Sequence, residues 1–138
     1  MNSRTFKRTP HQPIPPDVEK AGKMVLDAAY KVHTVLGPGL LESVYETCLA
    51  YEIRKRGLQV KTQVALPVVY ENVRVDAGLR IDMFVETCII VELKSVETLN
   101  PIFKAQLLTY LRLAKVRLGF LINFNVPHLK EGVHRMVV

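Results

Sequence analysis

The stretch "CIIVELKS", residues 88–95, decides how this chain is read. Cys88 to Val91 is an unbroken apolar run, the pattern of a strand buried on both faces. It runs into Glu92 and Lys94. Side chains alternate along a strand, so these two charges share one face, about 7 Å apart. A charge in so dry a place is costly unless it is paired, hydrated or bound to metal. The segment before it, "GLRIDMFVE" (78–86), alternates like a second strand and carries Asp82. A tight turn at about 86–88 joins the two. If that turn has an odd number of residues, Asp82 falls on the face of Glu92 and lies near it.

The remaining elements are read outward from this hairpin. Upstream, Ala21, Met24, Val25, Ala28, Ala29, Val32 and Val35 recur at helical spacing, so a first helix begins near Asp17. His33 sits at its end and reads as a surface or helix-end residue. "GPG" (37–39) breaks the pattern. A second helix then runs from about Leu40 to Arg56, with Leu41, Val44, Tyr45, Cys48 and Leu49 as its buried stripe and Gly57 as its stop. "LQVKTQVAL" (58–66) has period two. Pro67 should interrupt it, leaving "VVYENVRV" (68–75) as a further strand and turn around Glu71-Asn72. Downstream, Asn100-Pro101 is a helix start, with Asn as cap and Pro at the first position, and the third helix reaches about Ala114. "RLGFLINF" (117–124) is another apolar strand, and "VHRMVV" (133–138) a last edge strand. Helices first, then strands, with a late helix that permits a crossover connection, give an α/β domain on a mixed sheet.

The chain has 138 residues, enough for one domain with a single core, and its 49% hydrophobic and 23% charged content fits a folded globule. Residues 1–16 contain four of the eight prolines and no hydrophobic period, so they read as a flexible, Pro-rich basic arm ahead of a single domain at 17–138. No run is long enough to cross a bilayer, and no secretory signal opens the chain, so a cytoplasmic protein without a membrane partner is expected. Cys48 and Cys88 stand in apolar contexts without metal-ligand spacing and read as small buried hydrophobes. The net charge of +6 favours a polyanion such as nucleic acid. Part of it lies in "SRTFKR" (3–8) and "EIRKRG" (52–57), and the second run also suits a helix end.

Asp82, Glu92 and Lys94 together suggest chemistry. Two carboxylates brought together repel, and one takes up a proton unless a cation lies between them. Two carboxylates plus water suit Mg²⁺, with Mn²⁺ as an alternative. A metal-bound water can attack a phosphodiester, and an ammonium group can orient it or stabilise charge on the phosphate. The plain alternative is a Glu–Lys pair that only solubilises an exposed strand. Two further patterns bear on the choice. In "GLLESVY" (39–45), Gly39, Glu42 and Tyr45 fall at G-x-x-E-x-x-Y spacing, with Glu42 bordering the apolar stripe. In "AQLLTYL" (105–111), Gln106 and Tyr110 are helical neighbours, so the amide could bond a phosphate or a carboxylate and the tyrosine could buttress it.

"GPGLLESVYE", "RID" at 80–82, "IIVELKSVE", "AQLLTYL" and "GFLINF" occur in one order and spacing that closely resembles the GxxExxY protein family, a branch of the PD-(D/E)XK nuclease-like superfamily. The likeness covers about residues 17–126. It implies a restriction-endonuclease-like core, a central mixed β-sheet flanked by helices. It also implies a metal-dependent nuclease, with DNA favoured over RNA. Asp82 and Glu92 would be metal ligands, Glu42 a ligand through water, Lys94 the catalytic lysine and Gln106 a further catalytic residue, with Tyr45 and Tyr110 supporting. Ile81 replaces the proline of the superfamily pattern. The other readings are a non-catalytic nucleic-acid-binding module and a protein-interaction subunit; a homo-oligomer or protein partner stays open.

Overall fold

A computed structural model describes residues 12–138, so residues 1–11 of the expected arm lie outside the described residues. Helix α1 spans Pro16–Leu36 and α2 Glu42–Lys55. Strands β1 (Val60–Tyr70), β2 (Val73–Val85) and β3 (Ile89–Lys94) follow, then α3 (Ile102–Ala114), β4 (Leu118–Asn123), a short 3₁₀ turn (Leu129–Gly132) and β5 (Val133–Val137). The five strands form one sheet in sequence order. Only β3 and β4 run parallel, because α3 carries the chain back between them; the other neighbours are antiparallel. The architecture is the expected α/β fold with a central mixed sheet flanked by helices.

The sheet has a core on each side. Met83, Val85, Val91, Leu93, Phe120 and Ile122 pack with Val25, Ala28, Val32, Leu49 and Ile53 of α1 and α2. Ile90 and Leu121 pack with Leu107 and Leu111 of α3, joined by Ile81. Strand β3 is therefore covered on both faces, which is why its sequence reads as a continuous apolar run. Pro101 stands at the N-cap of α3, and the Asn100 side-chain oxygen just before it accepts the Ile102 N–H at 3.0 Å.

Several expectations are corrected. Pro67 does not end a strand: β1 runs through it to Tyr70 and pairs with an equally unbroken β2 around a two-residue turn, Glu71-Asn72. Strand β1 is an edge strand, where a missing N–H is tolerated, and the ladder absorbs the proline with a register shift between Leu66 and Val68. Helix α1 buries its expected stripe apart from Val35 (66% exposed). In α2, Leu41 and Val44 face solvent, while Ala50 and Ile53 join Tyr45 and Leu49 on the buried side. Helix α2 begins only at Glu42, so Leu41 precedes the first turn instead of packing within it. His33 is at its helix end but buried, because its Nε2 bonds the Val126 carbonyl oxygen at 2.8 Å. Within the arm, residues from Gln12 onward lie against the fold. Ile14 joins the core, and Arg117 donates to the carbonyls of Gln12 and Pro13. An apolar side chain and a guanidinium are the physical means by which so short a segment is held.

The turn before β5 approaches β4 closely. A Cβ on Gly132 would stand 2.0 Å from the Asn123 carbonyl oxygen, a collision with backbone. Gly132→Ala is expected to destabilise the protein by roughly 1–3 kcal/mol, the cost of overpacking a filled site, read as a lower urea midpoint at unchanged slope.

Candidate active site

The site forms where the β2–β3 ladder stops. Val85 pairs with Ile89, Phe84 with Ile90 and Met83 with Val91 across a three-residue loop, Glu86-Thr87-Cys88. This odd count puts Asp82 opposite Glu92. There the backbone pairing gives way to side chains. The Asp82 N–H donates to Glu92 Oε2 at 2.8 Å, and the Leu93 N–H donates to Asp82 Oδ2 at 2.9 Å. Each carboxylate thus takes the strand N–H that a ladder would have used, and both strands are held at a fork.

Glu92 is 5% exposed. Burial, and next the charge of Asp82, lift its carboxyl from the ordinary 4.5 to about 8, against the Asp82 N–H bond and Lys94, which lower it. Glu42, the first residue of α2, is exposed at the mouth of the fork. Its carboxyl is also raised, first by lost hydration and further by Asp82 and Glu46, with Lys94 opposing. Asp82, Glu92, Glu42 and Lys94 therefore lie within one electrostatic neighbourhood. Lys94 forms no ion pair among the described residues; its Nζ stands 4.1 Å from the ring centroid of Phe103 on α3.

The G-x-x-E-x-x-Y spacing has a local explanation. Tyr45 is fully buried, stacked on Phe124 with centroids 4.4 Å apart. Its hydroxyl donates to the Gly37 carbonyl at 2.6 Å and accepts the Leu40 N–H at 3.2 Å. Gly37 and Gly39 both take positive φ, 71° and 96°, which lets the chain double back over the tyrosine. Ser95 Oγ donates to the Leu40 carbonyl at 2.6 Å, tying the same loop to the residue after Lys94. The side-chain amide of Asn123 pairs with both backbone groups of Val96, at 3.1 and 2.9 Å. Glu42 and Lys94 are thereby set from two sides of one clamp.

Gln106 is not brought to the carboxylates. It is exposed on α3, one turn beyond Phe103, and its Nε2 donates to Tyr110 at 3.2 Å. Two neighbours were not anticipated. Gln63 on β1 reaches Glu46 and Asp82, and Glu46 lies one turn beyond Glu42 on α2. The i, i+4 spacing of the two glutamates was readable in "ESVYE"; nothing local marked Gln63.

The donor set tests whether a cation fits. Among the described residues, no three His, Cys, Asp or Glu side chains are grouped tightly enough to grip an ion by themselves. The chemistry nonetheless suits a hard divalent cation: the donors are carboxylate oxygens, and the repulsion between Asp82 and Glu92 is what such a charge relieves. Asp82 and Glu92 would hold it, with Glu42 acting through water.

A family profile described as the PD-(D/E)XK nuclease superfamily matches residues 19–136. No curated protein and no solved structure matches the chain.

The raised Glu92 carboxyl makes stability depend on pH. Between pH 4.5 and 8 the folded protein keeps a proton on Glu92 that the unfolded chain releases, so stability falls as pH rises through this window. His134, lowered by burial and Lys104, works in the opposite sense below pH 6.5. Comparison with Glu92→Gln isolates the effect: urea unfolding from pH 5 to 8 without divalent ions should show a steeper loss in wild type than in the variant. Tyr45→Phe should cost roughly 1–3 kcal/mol in urea unfolding, because it keeps the stacked ring but takes both hydrogen bonds from the Gly37 carbonyl and the Leu40 N–H.

Proposed function

The chain belongs to the PD-(D/E)XK nuclease superfamily, and from that premise we propose a metal-dependent nuclease that hydrolyses phosphodiester bonds in nucleic acid, DNA before RNA. The observation that carries this reading is the fork at Asp82 and Glu92, with Lys94 two residues further on the same strand face and Glu42 delivered from α2. We place the chain in the GxxExxY branch, on the residues Gly39, Glu42 and Tyr45 that form its loop clamp.

Asp82 and Glu92 would bind Mg²⁺, or Mn²⁺ in its place, and Glu42 would orient a water of its hydration shell. When bound, the cation lowers the pKa of water and neutralises charge on the phosphate. The protein side chains do the rest. Lys94, which forms no ion pair among the described residues, would direct its ammonium group toward the phosphate oxygens and stabilise the charge that grows there. Phe103 limits where that ammonium can go. Gln106, kept in place by Tyr110, is suited to a phosphate oxygen further along the strand. Glu92 must lose its proton to bind the cation, so binding near neutral pH releases up to one proton and strengthens as pH rises toward 8. The net charge of +6 favours a polyanionic substrate.

Single-stranded DNA, duplex DNA and RNA incubated with Mg²⁺ or Mn²⁺, and with chelator, test the proposal. Wild type should cleave at least one of them. Glu92→Ala and Lys94→Ala should each lower the rate by roughly 10²-fold or more, the order expected when a preorganised charge is removed. Equal cleavage by all three proteins would mean a contaminant and reject the site. Salt-sensitive binding without cleavage would instead identify a nucleic-acid-binding module.

A further inference from the structure

Strand β1 carries a feature that neither the fold nor the carboxylate fork requires. Gln63 lies in the middle of a strand, directly across the β1–β2 ladder from Asp82, yet its φ is 53°. A non-glycine residue in the left-handed region is unfavourable, and it persists only where its surroundings hold it. The register is unbroken on both sides, with Thr62 paired to Met83 and Val64 to Ile81, so no inserted residue accounts for the twist. Its consequence is visible in the cores. Met83 belongs to the α1–α2 side of the sheet, whereas Ile81 packs with Val64 on the α3 side. Strand β2 turns over at Asp82, between them.

The twisted residue is also the one that reaches the acids. Gln63 Nε2 donates to Glu46 at 2.7 Å and lies 3.4 Å from Asp82 Oδ1. Its Oε1 accepts from Arg80 Nε at 2.9 Å. The orientation of the amide is chemically fixed, since both carboxylates need a donor and the guanidinium needs an acceptor. Asp82 is thus held by two contacts: the Leu93 N–H on Oδ2, and the Gln63 amide on Oδ1.

We infer that Gln63 is a positioning residue, which uses a strained backbone to aim its amide between Glu46 and Asp82 and so fixes the Asp82 carboxylate for cation binding, with Arg80 holding the amide. This rests on the metal-dependent reading proposed above. Outer partners of metal ligands orient them, and their removal commonly weakens binding 10–100-fold. Strain at Gln63 is retained because the side chain is needed at that place.

Gln63→Gly separates the backbone from the side chain. Glycine takes φ 53° without steric strain, which offsets its greater freedom in the unfolded chain and the loss of exposed side-chain hydrogen bonds, so the variant should melt close to the wild-type temperature. The same variant should bind Mn²⁺ about tenfold or more weakly, counted from the electron paramagnetic resonance signal of free Mn²⁺. A residue with a merely structural role would not combine a retained melting temperature with a lost affinity. Arg80→Met, which frees the amide to rotate, should weaken binding in the same direction and by less. Mn²⁺ affinity of Gln63→Gly within twofold of wild type, while Glu92→Ala abolishes binding, would overturn the inference alone. Absence of any Glu92-dependent Mn²⁺ binding in wild type would overturn the metal-dependent reading, and this inference with it.

Discussion

The exchange of backbone for carboxylate at Asp82 and Glu92 is the constraint on which the site depends. Two strands that pair from Val85 and Ile89 inward reach a point where each N–H is taken by a carboxylate from the other strand. The exchange satisfies the backbone groups and opens the sheet without leaving them bare. It also forces two acids together in a place where one is almost wholly buried. Such a pair holds a proton or a cation. The raised Glu92 carboxyl is the proton-holding state of that choice.

The surroundings hold this fork in place through a short series of bonds. Asn123, at the end of β4, pairs with Val96 beyond β3. Ser95 bonds the Leu40 carbonyl, and Tyr45 gathers Gly37 and Leu40 beneath its hydroxyl. The start of α2, and with it Glu42, is fixed relative to Lys94 by this chain of contacts and not by packing of Glu42 itself, which stays exposed. A carboxylate at a helix start can then be both accessible and well placed, a combination that a position in mid-core does not allow.

Charge is distributed less simply than the net value implies. The basic run at the end of α2 is engaged within the fold: Arg54 donates to the Val60 carbonyl, Arg56 to Glu52, and Lys55 lies near both Glu52 and the Tyr51 ring. The run serves to end the helix and begin β1. Among the described residues, Lys94 and, through Gln63, Arg80 are cations that stand close to the fork.

Much of this was legible in the sequence because it is local. The apolar run 88–91 and the alternation of strand side chains put Glu92 and Lys94 on one face, and the odd turn after Val85 set Asp82 opposite Glu92. The double glycine and the Asn-Pro pair marked where α2 and α3 begin. The rest depends on neighbours that no local pattern reveals. Pro67 stays within a strand because β1 happens to be an edge; His33 is buried because Val126 supplies an acceptor. Val35 is outside because it stands at the very end of α1, and Leu41 because α2 starts only after it. Gln63 reads as an ordinary strand residue, yet tertiary pairing sets it across from Asp82 and holds it at φ 53°. The sequence by itself determined which residues could share a face, since side-chain alternation is a property of the chain. Only the tertiary structure decided which acids meet, which is buried and what holds them, since burial and hydrogen bonding depend on the elements packed alongside.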